Sequence, residues 1–344
     1  MASTSSPPPS QILCASFNQE NSLFYVGTND GFRIFDVRTG RLCYEKNLGG
    51  INNMEMYFGS NLLAIVGTGE QCYLLVAFAF STPKQDRTFI YDLNSTTILE
   101  EIETVSNTKG LCAFAPNSEA CYLAIPASTS KGSALVYKAS EPELICQIDA
   151  HQSPLAAMAF SSNGMYLATA SEKGTIIRVF LVAQATKSHS FRRGTYPSTI
   201  YSLSFGPSND LPDVLVATSS SGSLHMFFLD AARNRRNQPN KLLGSIIPGA
   251  ITDALDPANH HIIQKVAPAE IKSCVAVHSV ENSQNSSKLP ALRTIVYIIT
   301  YDGYFREYII NTTKSNESSW VLHCEFSLLN TGYSTPQLDE QHMD

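Results

Sequence analysis

The chain has 344 residues, 43% of them hydrophobic and 16% charged, with a formal net charge of −6. That length allows one large β domain or two smaller domains around a substantial core. The weak negative charge excludes a general nucleic-acid binder, which needs a broad basic field, so any attraction to anions has to be local.

Residues 1–10, MASTSSPPPS, read as a disordered polar tail without the apolar core of a signal peptide. From residue 11 onward, short runs rich in Val, Ile, Leu, Phe and Tyr alternate with Asn, Gly, Ser and Asp turns, the pattern of strands and turns. One unit recurs. It has an apolar strand, a turn, a second strand ending in small residues, a turn glycine or substitute, and a third strand. Copies begin at ILCASF, GLCAFAP, PLAAMAF and IYSLSF, and a weaker last copy ends in IVYIITYDGYFREYII.

The turn glycines are Gly31, Gly132, Gly174, Gly222 and Gly303, spaced by 101, 42, 48 and 81 residues. Spacings in the forties suit four-stranded propeller blades of about 40–45 residues. Arg87–Leu93, RTFIYDL, matches Gly31–Val37 and splits the 101-residue gap into 56 and 45. Six third strands result. The 56-residue interval is odd, because NNMEMYFGSNLLAIVGTG reads as the first two strands of a blade and RTFIYDLNSTTILEEIETV as the last two. Either the pieces form one hybrid blade, or a segment around Glu70–Asp86 has been lost. The 81-residue gap holds an insertion over residues 230–270, and residues 331–344 read as a second disordered tail. Residues 11–330 are therefore expected to form a single propeller domain.

The eight cysteines form no C-x-x-C pair and read as small buried hydrophobes in a reducing compartment. The longest apolar run, Tyr73–Phe80, falls far short of the roughly 20 residues a membrane helix needs. A cytoplasmic, soluble protein is expected. No G-x-S-x-G, H-E-x-x-H or P-loop occurs, and the adjacent His260 and His261 lack partners in range, so neither an enzyme nor a metal or cofactor is expected.

Two arginines, Arg192 and Arg193, stand side by side in SFRRGT between strand-like runs. Successive strand residues point to opposite faces, so the pair would serve two places rather than one. A doublet on a propeller rim can also be a solvated edge that protects an exposed strand. Around FRRG, the combination with ATASEKGTIIR before it and SSSGSLH after it resembles the PROPPIN family, WD-type propellers that bind phosphoinositides in autophagy and endolysosomal traffic. The resemblance runs from about Ile12 to Leu329 and suggests a plant member. It implies an all-β, seven-bladed WD-type β-propeller, here six-bladed or incomplete in the region of blades 2 and 3.

Inositol phosphates need converging donors, with arginine forks for charge and Ser, Thr and His to complete the shell. Ser171, Thr175, Arg178 and Arg192 make a plausible first pocket. Subtracting 48 superimposes Ser219 on Ser171 and Ser223 on Thr175, and leaves His225 one position from Arg178, on the opposite face of its strand. With Arg193 these form the second pocket, and the resemblance implies the same pairing. The insertion opens with Arg233, Arg235, Arg236 and Lys241 before the apolar LLGSII. It reads either as a surface loop or, as the resemblance implies, as a segment that dips Leu242, Leu243, Ile246 and Ile247 into a bilayer interface. The resemblance also implies partners: phosphoinositide-containing membranes at preautophagosomal, endosomal and vacuolar sites, autophagy proteins such as the large lipid-transfer protein of that pathway, and no nucleic acid. The competing expectation is a propeller that serves only as a protein-interaction platform.

Overall fold

The computed structural model describes residues 10–329 except 19, 48, 57–62, 68–79, 82–86, 93–96, 108–109, 117–120, 139–140, 142, 209–211, 230–260, 283–291 and 314–316. The apolar loop positions 242, 243, 246 and 247 and both chain ends lie outside the described residues. Twenty-five strands and a single 3-10 turn make up the described elements.

The strands form antiparallel sheets in chain order. Sheet one holds β1 (Ile12–Phe17), β2 (Leu23–Thr28), β3 (Gly31–Asp36) and β4 (Leu42–Asn47). Sheet two is the pair β5 (Ile51–Met56) and β6 (Leu63–Gly67), and sheet three is β7 (Phe80–Ser81), β8 (Arg87–Asp92) and β9 (Thr97–Glu103). Sheet four has β10 (Ala113–Pro116), β11 (Cys121–Pro126), β12 (Gly132–Lys138) and β13 (Glu143–His151). In sheet five are β14 (Leu155–Phe160), β15 (Tyr166–Ser171), β16 (Ile176–Leu181) and β17 (Thr186–Arg192). Sheet six contains β18 (Ile200–Phe205), β19 (Val214–Ser219), β20 (Ser223–Phe228) and β21 (His261–Lys265). Sheet seven closes the chain with β22 (Ser273–Asn282), β23 (Leu292–Thr300), β24 (Tyr304–Thr312) and β25 (Ser318–Ser327).

The all-β blade architecture expected from the sequence is present. The two half-blades of the odd early interval fall in separate sheets, so sheets two and three each have fewer than four strands among the described residues. Among the described residues the two half-blades therefore do not share one sheet.

Position within a sheet dictates composition. Second strands are packed on both faces by neighbouring sheets, and β15 and β19 are buried almost throughout with the small residues of YLATAS and VLVATS. Fourth strands face outward, and β4 is exposed along its whole length. Separate apolar clusters lie between sheets four and five, five and six, six and seven, and seven and one. Sheets seven and one share no strand. They meet through stacked rings, with Phe24 4.9 Å from Phe35 and 5.0 Å from Phe305, which lies 4.7 Å from Phe326. The main-chain N–H of Ala15 also donates to the buried hydroxyl of Tyr301 across this seam, and burial pushes that phenol's pKa strongly up.

The thiols depart from expectation. Among the described thiols only Cys14 is buried, Cys43 is exposed, and five others are half-buried, none of them in a disulfide; Cys72 lies outside the described residues.

Because Phe24 is fully buried in the seam between the first and last sheets, Phe24→Ala is expected to cost about 3–5 kcal/mol. Chemical denaturation followed by far-UV circular dichroism measures it, and a loss below about 1 kcal/mol would show that the seam does not hold the ring.

Candidate anion-binding clefts

The turns that open the third strands of sheets five and six are built alike. Gly174 and Gly222 have φ of +58° and +76°, and each N–H donates over 2.8 Å to the carbonyl three residues earlier, Ser171 or Ser219. A Cβ at Gly174 would stand 1.8 Å from the Ser198 carbonyl oxygen, and one at Gly222 2.2 Å from that of Ala267. Only glycine tolerates both the left-handed backbone and that approach.

After the glycine the two turns differ by one residue. The Thr175 carbonyl accepts from the N–H groups of Arg193 (2.9 Å) and Gly194 (3.4 Å), whereas in sheet six the Gly222 carbonyl itself accepts from Val266 (2.9 Å) and Ala267 (3.1 Å). Thr175 is the extra residue. Its effect shows in the register: Thr169 pairs with Arg178, and Ala217, the counterpart of Thr169, pairs with His225. His225 therefore occupies the slot of Arg178, on the same face. The opposite-face expectation, drawn from simple subtraction, is corrected.

That slot recurs around the structure. Arg33 in sheet one and Arg306 in sheet seven hold it too, opposite Val26 and Ile298. Arg33 faces Glu45 and Arg306 faces Glu325 on the neighbouring outer strands, and both form ion pairs there. Arg178 instead faces Ser190, and His225 faces Ile263. Of these four slots, the two next to the arginine doublet are the ones without a carboxylate across the strand.

Face assignments follow from contacts. Ile177 and Phe191 pack into the cluster shared with sheet six, where Phe191 stacks 5.0 Å from Phe227. Arg178, one residue along, turns toward sheet four. Its Nη1 donates to the Ala150 carbonyl (2.8 Å) and to His151 Nδ1 (2.7 Å). Since arginine can only donate, Nδ1 accepts and the proton sits on Nε2, which lies 3.0 Å from Thr169 Oγ1; that hydroxyl donates to the Arg178 carbonyl at 3.3 Å. Arg192 lies opposite Ile176 and two residues beyond Ser190, and Ser171 stands two beyond Thr169. Ser171, Arg178 and Arg192 therefore share the face toward sheet four. Thr175 is half-buried, and by alternation it falls on the parity of Ile177, which packs toward sheet six. Arg192 is half-buried and has no hydrogen bond or ion pair among the described residues. His151 completes this arrangement and was missed in the sequence reading; its only signal is its place at the end of the strand facing Gly132.

Arg193 behaves differently. It leaves on the side of Phe191, toward sheet six, and is buried, with Nε donating to the Gly174 carbonyl at 2.9 Å and Nη2 to the Tyr196 carbonyl. Burial pulls its pKa down, although a guanidinium stays charged. The doublet does diverge, but the second guanidinium is partly committed to the main chain. It anchors the segment 194–199, which bridges the two turns: Ser198 N–H donates to the Lys173 carbonyl (3.1 Å) and Ser220 N–H to that of Thr199 (2.8 Å), and the Ser198 and Ser220 hydroxyls lie 3.1 Å apart.

Across from it, Ser219, Ser223 and His225 share the face of sheet six that looks toward sheet five. Ser219 Oγ lies 2.9 Å from Ser221 Oγ and donates to the Ser223 carbonyl at 3.4 Å. His225 is buried and stacks on Phe227 at 6.3 Å. Of the eight residues expected from the sequence, Ser171, Arg178 and Arg192 lie on the face of the fifth sheet toward sheet four, and Arg193, Ser219, Ser223 and His225 lie on the faces between sheets five and six. Neither group contains carboxylates, and the described residues hold no cluster of His, Cys, Asp and Glu suited to a metal ion.

The profile of the PROPPIN family matches residues 46–249, more than half of the chain. The chain is 50% identical to autophagy-related protein 18b of Arabidopsis thaliana, over 93% of this chain and 96% of the relative. It is 30% identical to autophagy-related protein 18 of Dictyostelium discoideum, over 92% and 94% of the two chains. Among solved structures, Hsv2 of Kluyveromyces lactis superimposes with a TM-score of 0.66 at 19% identity, covering 93% of this chain and 99% of that one. A complex of KlAtg21 with the coiled-coil of AgAtg16 matches with a TM-score of 0.63 at 20% identity, over 92% and 99%.

Gly174→Ala forces both a left-handed alanine and a clash with the Ser198 carbonyl, so the expected cost is at least about 1 kcal/mol. The thermal midpoint should drop by about 1–2 °C or more. An unchanged midpoint would mean that the turn relaxes freely and does not fix the arginine loop.

Proposed function

As the chain belongs to the PROPPIN family, we propose that it is a phosphoinositide-binding peripheral membrane protein, a reader of phosphatidylinositol 3-phosphate and 3,5-bisphosphate in autophagosome formation and endolysosomal traffic. The observation that carries this reading is the divergence of Arg192 and Arg193 toward two homologous Ser-lined clefts that lack facing carboxylates. Ser171, Thr175, Arg178 and Arg192 form the first headgroup site, and Arg193, Ser219, Ser223 and His225 the second.

The chemistry is binding, not turnover. Hydroxyls and guanidinium forks offer directional, charge-assisted hydrogen bonds to phosphate oxygens. Arg178 is held in place by His151 and the Ala150 carbonyl, so little side-chain entropy remains to be lost on binding. Arg192 supplies a donor fork that no described residue engages. Two modest sites on one rigid ring compound, because engagement of the first makes the second effectively intramolecular. This reconciles an overall charge of −6 with an anionic membrane. In this reading the protein is cytoplasmic, is drawn to preautophagosomal, endosomal and vacuolar membranes, and gains further hold from residues 242–247 at the bilayer interface.

Membrane recruitment and partner recruitment are compatible. The relatives are named for autophagy, and the KlAtg21 structure contains a coiled-coil partner. Exposed apolar residues on the outer strands, Leu144 and Ile145 on β13 and Val321 and Leu322 on β25, favour a platform role beside lipid binding. Recruitment of the large lipid-transfer protein of the autophagy pathway belongs to this part of the proposal.

Flotation with liposomes tests the reading. The wild-type chain is expected to float with vesicles containing phosphatidylinositol 3-phosphate or 3,5-bisphosphate and to stay behind with phosphatidylcholine alone. The double variant Arg192→Thr/Arg193→Thr should lose flotation. Equal behaviour of the two proteins would leave the platform role standing by itself.

A further inference from the structure

The second cleft, as read from the sequence, relies on Arg193 for its cation, yet Arg193 is buried and commits Nε and Nη2 to the carbonyls of Gly174 and Tyr196. The correspondence between sheets five and six supplies another. Ile176 lies two residues before Arg178 and faces Arg192; Ser223 lies two before His225 and faces Lys265. The next residues repeat as well. Arg193 and Gly194 donate their N–H groups to the Thr175 carbonyl, and Val266 and Ala267 donate theirs to that of Gly222. Lys265-Val266-Ala267 thus holds in sheet six the place that Arg192-Arg193-Gly194 holds in sheet five.

Directly opposed residues of an antiparallel pair project to the same side. Lys265 therefore shares the face of Ser223 and His225, toward sheet five. It is exposed, and no hydrogen bond or ion pair engages it among the described residues. Nothing in the spacing of the sequence marks it, because 42 residues separate Ser223 from Lys265 along the chain.

We infer that Lys265 is a further cation of the second cleft, beside Arg193, taking a phosphomonoester of the ligand as Arg192 does in the first. This rests on the lipid-reading function above and completes its second site. It also makes the clefts unequal. A guanidinium fork imposes geometry on phosphate, whereas an ammonium is a compact point charge on a flexible stem, so the second cleft is the less selective and the more salt-sensitive one.

Calorimetric titration of the full chain with water-soluble dibutanoyl phosphatidylinositol 3-phosphate tests the assignment. The wild type should take up two molecules. Lys265→Gln should weaken one of them by about tenfold, the scale of one charge-assisted contact, and leave the other unchanged. Lys265→Arg should keep both, and Arg192→Gln should weaken the site that Lys265→Gln spares. Because Lys265 is exposed, its variants should melt like the wild type. Two unchanged sites in Lys265→Gln would overturn the inference while leaving the lipid reading intact; no uptake by the wild type would overturn both. Inorganic phosphate should compete poorly, and competition equal to that of the headgroup would replace the lipid by free phosphate and sink the assignment.

Discussion

A propeller blade of short strands has two apolar faces and can cover neither alone, so every face must find the face of a neighbour. The alternation of side chains along a strand then has an unusual consequence. Consecutive residues of one strand belong to different blade-to-blade interfaces. Phe191 packs toward sheet six, into the cluster with Phe227, while its neighbour Arg192 shares the face of Arg178, which reaches back to sheet four. Where the strand runs out at the rim, the same alternation that sorts apolar residues into two cores sorts two arginines onto two faces. The site needs no separate architecture. It is the frayed end of the core.

The third-strand slot held by Arg33, Arg178, His225 and Arg306 illustrates how one structural position is put to different uses. Arg306 reaches back to the Val266 carbonyl of the preceding sheet, as Arg178 reaches back to that of Ala150. In sheets one and seven a carboxylate across the strand pairs with the arginine. The guanidinium groups of these pairs are largely buried while their carboxylates are partly exposed, so each carboxylate compensates a desolvated charge. What its absence across from Arg178 and His225 changes is the local field, which becomes attractive to anions.

Much of this was legible in the sequence because turn chemistry and alternation are local. The third strands, the turn glycines at 174 and 222 and the splaying of Arg192 from Arg193 all depend on residues within a few positions of each other. Other features depended on what the chain meets at a distance. The single extra residue after Gly174 shifts Arg178 by one place relative to His225, and subtraction of sequence numbers reads that shift as a change of face. Only pairing with Thr169 and Ala217 restores it. The bonds from Arg193 to Gly174 and Tyr196, and the support of Arg178 by His151, join groups through the folded turns and leave no periodic trace. The early half-blades had strands that pattern could find, but whether two pieces share a sheet is a matter of pairing, and among the described residues they do not.

A crystal structure of the chain soaked with a short-chain phosphatidylinositol 3-phosphate bears most directly on the claim that neighbouring arginines feed separate clefts. The account predicts two headgroups, one against Ser171, Arg178 and Arg192 and the other against Ser219, Ser223 and His225, with the fifth sheet between them. A single headgroup gripped by Arg192 and Arg193 together would contradict it.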